Sequence, residues 1–134
     1  MSDQLTNQAT PNESTCSVAV TFENKTDLTL IRVEAELEHG IWATNQYPPE
    51  IISPHSVGKW KSESNGFMTG TAGYVKYAMD SGKESILRVY WSNPFAGSNS
   101  YDGSIAGPKE HEYVWSYTGG TGNNASVSFK LEKK

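Results

Sequence analysis

The residues able to do acid–base or nucleophilic chemistry are few and scattered. The three histidines are His39, His55 and His111. None sits in an HxH or HExxH pattern, so zinc hydrolysis has no support, and each reads as a surface or loop residue. A GxSxG nucleophile elbow is absent. Gly119-Gly120-Thr121-Gly122 has the glycines of a phosphate loop. No Lys-Ser/Thr follows it and no helix begins there, so it reads as a hairpin turn. Asp102-Gly103 lacks the further carboxylates of a calcium loop. The single cysteine, Cys16, excludes an internal disulfide and a Cys-rich zinc site, and is expected as a buried, inert thiol. Glu34, Glu36 and Glu38 read as one solvated strand face. The expectation is a protein with no catalytic residue, no metal and no cofactor, and not an enzyme.

Aromatic residues are what the sequence has in surplus: four Trp, seven Tyr and four Phe. Tyr90 and Trp91 are neighbours in an apolar run, so one of the two faces outward from a strand. Tyr113, Trp115 and Tyr117 share one face. Phe67, Phe95 and Tyr101 fall in segments that read as loops, where core packing does not demand them. Such rings settle at a membrane interface or stack on a sugar. Burying half of each ring contributes about 2–3 kcal/mol, so three rings give roughly 6–9 kcal/mol before the costs of association. Charge contributes little: 11 Lys and Arg against 15 Asp and Glu leave a net charge of −4. With no basic run, nucleic acid is a poor partner, and so is anionic lipid held by charge alone.

The elements that must position these rings read as strands. Residues 1–15 are polar and are expected as a flexible tail ahead of one domain over 16–134. Val18, Val20 and Phe22 alternate with polar neighbours. Thr29, Ile31, Val33, Ala35 and Leu37 alternate with Leu30, Arg32 and the three glutamates. Short strands follow at 40–44 and 57–62, with only an edge strand allowed among Pro48, Pro49 and Pro54. Residues 74–79 and 86–91 form strands around a turn at Ser81-Gly82, and 93–109 read as loop. An aromatic strand at 112–117 and an alternating one at 125–131 complete the chain. Eight or nine mostly antiparallel strands without a helix predict an all-β fold, a β-sandwich. The longest apolar runs are three residues, far short of the roughly 20 of a membrane-spanning helix. The first 15 residues hold no Lys or Arg and no apolar stretch, which predicts synthesis in a cytoplasm without a signal peptide.

Three stretches together resemble a known family. They are Glu63-Ser64-Asn65-Gly66-Phe67-Met68-Thr69-Gly70-Thr71, then Asn93-Pro94-Phe95-Ala96-Gly97-Ser98-Asn99 with Tyr101-Asp102-Gly103, and Gly119-Gly120-Thr121-Gly122-Asn123. The chain resembles the aegerolysin family from about Val18 to Leu131, and most of all the small component of bacterial binary insecticidal crystal toxins. The resemblance implies a compact, non-enzymatic β-sandwich made in the bacterial cytoplasm and acting on the surface of target cells. It also implies binding to a membrane lipid, a sphingolipid in many relatives, or to a receptor on gut cells. The partner implied is a larger pore-forming protein; self-association stays open. By position the resemblance nominates Trp91, Phe95 and Tyr101 for lipid or receptor binding, with Phe67 and Met68 at the same exposed end or in the core. Ser92-Asn93-Pro94-Phe95 departs from the fungal pattern, which has Cys and Trp there. A lectin-like module stacking its aromatics on a carbohydrate or glycolipid is the alternative.

Overall fold

A computed structural model describes residues 15–134; the expected tail at 1–15 lies, but for its last residue, outside the described residues. The strands are β1 (Ser17–Asn24), β2 (Leu30–His39), β3 (Ile41–Trp42), β4 (Ile51–Ile52), β5 (Val57–Glu63), β6 (Thr71–Ala78), β7 (Ile86–Asn93), β8 (Ser100–Ala106), β9 (Tyr113–Gly119) and β10 (Asn124–Lys133). The only helical turn among the described residues is a 3-10 turn at Pro108–His111. Two five-stranded sheets face each other, one ordered β3-β5-β1-β10-β9 and the other β4-β2-β6-β7-β8. Every pair is antiparallel except β1 with β10, where Ser17 stands beside Asn124 in parallel register.

The sandwich is as expected, but it has ten strands among the described residues rather than eight or nine. The addition is β8, inside the stretch read as loop. Its alternation is hidden because one inward position is glycine. A Cβ on Gly103 would lie 2.8 Å from the Trp115 ring, so the neighbouring sheet fills the space a side chain would take. The second correction concerns β2. Val33 is an extra residue between the Arg32–Tyr77 and Glu34–Lys76 pairs. That bulge reverses the side-chain phase, since each inserted residue turns the strand over. Leu30 therefore points into the core and Val33 is 38% exposed, the opposite of simple alternation. Glu34 is also less free than a solvated face implies: the Tyr74 hydroxyl donates to it at 2.7 Å. That bond, with Lys76 nearby, holds the Glu34 carboxyl below its ordinary range.

The core lies between the sheets. Val18, Val20 and Phe22 of β1, Trp60 of β5, and Val127, Phe129 and Leu131 of β10 meet Val75, Tyr77, Leu87, Val89 and Trp91 of the other sheet. Each such buried side chain contributes about 1.5–3 kcal/mol. Trp60 and Trp91, with ring centroids 5.9 Å apart, span the two sheets. The Trp91 indole N–H donates to Ser62 Oγ, whereas Trp60 Nε1 has no partner among the described residues. Cys16 is buried as expected, and burial pushes its thiol up.

Candidate functional site

The strand order decides which loops meet. β5 ends, β6 begins, β7 ends, β8 begins, β9 ends and β10 begins at the same end of the sandwich. The three stretches singled out in the sequence are the β5–β6 loop, the β7–β8 loop and the β9–β10 turn. They converge there, together with the β2–β3 turn at Gly40 and the start of β1.

Polar side chains tie this end together. Asn93 is buried, and its Nδ2 donates to the carbonyls of Ser17 (3.0 Å), Gly122 (3.1 Å) and Asn123 (2.8 Å). Asn99 Nδ2 donates to Gly120 O and Gly122 O, both at 2.9 Å. The Cys16 amide donates to Ser64 Oγ, and the Ser64 amide returns a bond to Cys16 O. The β5–β6 and β7–β8 loops touch at Gly70, where a Cβ would lie 2.6 Å from Asn93 O and 2.7 Å from Phe95 N. Only glycine allows that approach.

Between those two loops lies a cleft of about 430 Å3, lined by His39, Gly40, Asn65, Thr69, Thr71, Ser92 and Pro94 among others, with Met68 and Phe95 on its wall. Among the described residues, no Lys, Arg, Asp or Glu lines it. Phe67 is 88% exposed, Met68 54% and Phe95 44%. Met68 is held at φ 59°, a left-handed backbone that non-glycine residues adopt only at a cost. A second cleft of about 450 Å3 lies beyond the β7–β8 loop, between Ser98, Asn99, Tyr101, Tyr117 and the β9–β10 turn.

The predicted residues divide sharply. Phe67, Met68 and Phe95 are brought together at the exposed end. Trp91 is corrected: it is fully buried, and its neighbour Tyr90 faces outward instead. Arg88 lies over the Tyr90 ring at 5.2 Å and over the Tyr74 ring at 5.0 Å. Tyr101 is also corrected, being in strand β8 rather than a loop. It is half-buried against Tyr117 and Phe129, and its hydroxyl donates to Gly120 O at 2.8 Å. Burial pushes that hydroxyl up, which keeps it a donor. Sequence reasoning missed Asn93 as the hub, because nothing local distinguishes a buried asparagine before proline from an exposed one. All three histidines are exposed, His55 bonding Asp27 at 2.6 Å. Among the described residues, no group of three or more His, Cys, Asp or Glu is gathered as metal ligands would be.

A match to the aegerolysin family covers residues 16–131. The chain belongs to the aegerolysin family. The chain is not an enzyme, in keeping with that membership. An uncharacterized protein of Dictyostelium discoideum is 35% identical over 115 residues, covering 85% of this chain. The aegerolysin chain spans only 10% of that much longer relative. Two solved structures share the fold. The lipid binding protein Nakanori superposes with a TM-score of 0.77 at 13% identity, over 87% of this chain and 71% of its own. RahU protein, solved with a TRIS molecule, gives 0.69 at 18% identity, over 91% of this chain and 98% of its own.

Proposed function

We propose that this aegerolysin binds membrane lipid through the end that carries Phe67, Met68 and Phe95. The observation that carries the reading is an apolar lip, with Phe67 88% exposed, beside a cleft that no Lys, Arg, Asp or Glu among the described residues lines. A lip of this kind inserts among head groups by apolar burial, and the neutral cleft beside it offers hydroxyls and backbone groups to a head group. The fold similarity to a lipid binding protein supports the same direction. The finer role rests on the resemblance of the three converging stretches. It is the small component of a binary insecticidal toxin, which attaches to sphingolipid or a receptor on gut cells and recruits a larger pore-forming protein. In this reading the protein is made in a bacterial cytoplasm and acts on the surface of target cells.

Co-sedimentation with vesicles tests the reading. Phosphatidylcholine, sphingomyelin–cholesterol and ceramide phosphoethanolamine–cholesterol are compared. Binding to a sphingolipid mixture that folded Phe67→Ala and Phe95→Ala variants lose is the expected result. Absence of binding to all three and to gut-membrane vesicles overturns it. Binding competed by a free sugar favours the lectin-like alternative. Potent dye release by this protein alone overturns the two-component role.

A further inference from the structure

Among the described residues the sandwich has four sheet edges, and they differ in how they are protected. β3 and β4 are two residues each, and β4 is flanked by Pro48, Pro49 and Pro54. β8 carries Asp102 and Gly103. Short length, proline and charge are the usual devices that keep an edge from pairing with another chain. β9 has none of them. It runs seven residues, Tyr-Val-Trp-Ser-Tyr-Thr-Gly, without a charge or a proline. Its register with β10 is unbroken from Gly119–Val127 to Tyr113–Lys133. Among the described residues it is the last strand of its sheet, and it presents one row of backbone N–H and C=O groups outward.

The side-chain pattern of β9 complements itself. We propose that β9 is a self-association edge: two copies pair β9 to β9 antiparallel about Ser116, merging their five-stranded sheets into one of ten strands. In that register Trp115 of each copy stands opposite Tyr117 of the other on the inner face. Val114 stands opposite Thr118, and Ser116 opposite Ser116. Cross-strand aromatic and β-branched pairs of this kind are favourable, and no like charges meet. Val114 and Tyr117, 44% and 41% exposed, gain cover. The nearest charges in the central row are the two Lys130 side chains, each paired beside Ser116. Three strand spacings separate them, roughly 14 Å, beyond the screening length of about 8 Å at physiological salt. A second copy is therefore the occupant this edge fits. The two-fold axis turns the Gly119 ends, and with them the two Phe67 lips, in opposite directions.

Two seven-residue edges form a small interface, so the dimer is weak, with a Kd on the order of micromolar to millimolar. The test is made in buffer without lipid, so its outcome is independent of the lipid-binding reading. Sedimentation equilibrium from 1 µM to 1 mM should show the mass rise from 14.7 kDa toward twice that value. Ser116→Lys, which sets two like charges side by side, should abolish the rise. Ser116→Cys treated with diamide should give a covalent dimer at least tenfold more abundant than Ser128→Cys, an exposed position one strand in from the edge. Folding of each variant is checked by its melting temperature, and the cysteine pair remains decisive if the lysine variant unfolds. A mass that stays at the monomer value, association that persists in folded Ser116→Lys, or equal cross-linking of the two cysteine variants overturns the proposal.

Discussion

The indole N–H of Trp91 donates to Ser62 Oγ at 2.9 Å, joining β7 of one sheet to β5 of the other inside the core. Thr71 Oγ1 lies 2.8 Å from the same oxygen, so one buried hydroxyl serves two elements. Removing it leaves a buried donor unpaired, at a cost of about 1–3 kcal/mol. Ser62→Ala should therefore lower the melting temperature by about 3–10 °C. Trp91→Ala should cost about 3–5 kcal/mol through the cavity it leaves. Chemical denaturation measures both. Vesicle binding by still-folded Ser62→Ala should match the wild type, because neither residue reaches the surface.

Phe67 has the opposite profile. Its ring touches little of the protein, so Phe67→Ala should change stability by less than about 0.5 kcal/mol. Burying half of the ring in a bilayer is worth about 2 kcal/mol, which is about thirty-fold in partition constant. Vesicle titration of Phe67→Ala should show a loss of that order, while Phe67→Trp retains or strengthens binding. A loss of the same size for Tyr47→Ala, an exposed aromatic outside this end, would point to a nonspecific apolar effect.

Much of this architecture is legible in the sequence where one face of a strand is fully buried. Val18, Val20 and Phe22, or Val127, Phe129 and Leu131, alternate so cleanly that tertiary context adds only the partner. It is illegible where the pattern depends on something distant. Gly103 lacks a side chain because Trp115 occupies its space, and that hid β8. Val33 is displaced by pairing with β6, and no local residue announces the bulge. The order Tyr90-Trp91 fixes that one ring faces out but not which, because parity is set by the register with β6 and β8. For the site, the three loop stretches are recognisable one by one. Their convergence follows from strand order, which periodicity does not contain.

Gly70 couples the two loops that form the lip. Its backbone is not left-handed, so the constraint is contact: a methyl would meet Asn93 O, Pro94 Cα and Phe95 N within 2.7 Å. None of these is a flexible side-chain end, so Gly70→Ala must push the β5–β6 loop away from the β7–β8 loop. The expected cost is about 1–3 kcal/mol. Vesicle binding should fall further than in a variant of equal stability loss in the core, such as Ser62→Ala. Equal binding of the two would mean that the spacing of the loops is unimportant to the lip.

Asp80 holds the β6–β7 turn, opposite the lip, and gives the fold a pH dependence with a definite sign. Its carboxylate accepts the Glu84 N–H at 2.9 Å and the Ser85 N–H at 3.1 Å, and these bonds, the Glu84 one first, hold its pKa below the usual aspartate value. A group depressed in the folded state stabilises above its unfolded pKa of about 3.9. That contribution is lost as pH falls through the folded value. Asp80→Asn should therefore melt below the wild type at pH 6–8, and the gap should close as the pH is lowered past 4 toward 2. Melting curves across this range check it. A gap that stays constant down to pH 2 would mean that the turn is held by geometry that the amide reproduces poorly, rather than by the charge of Asp80.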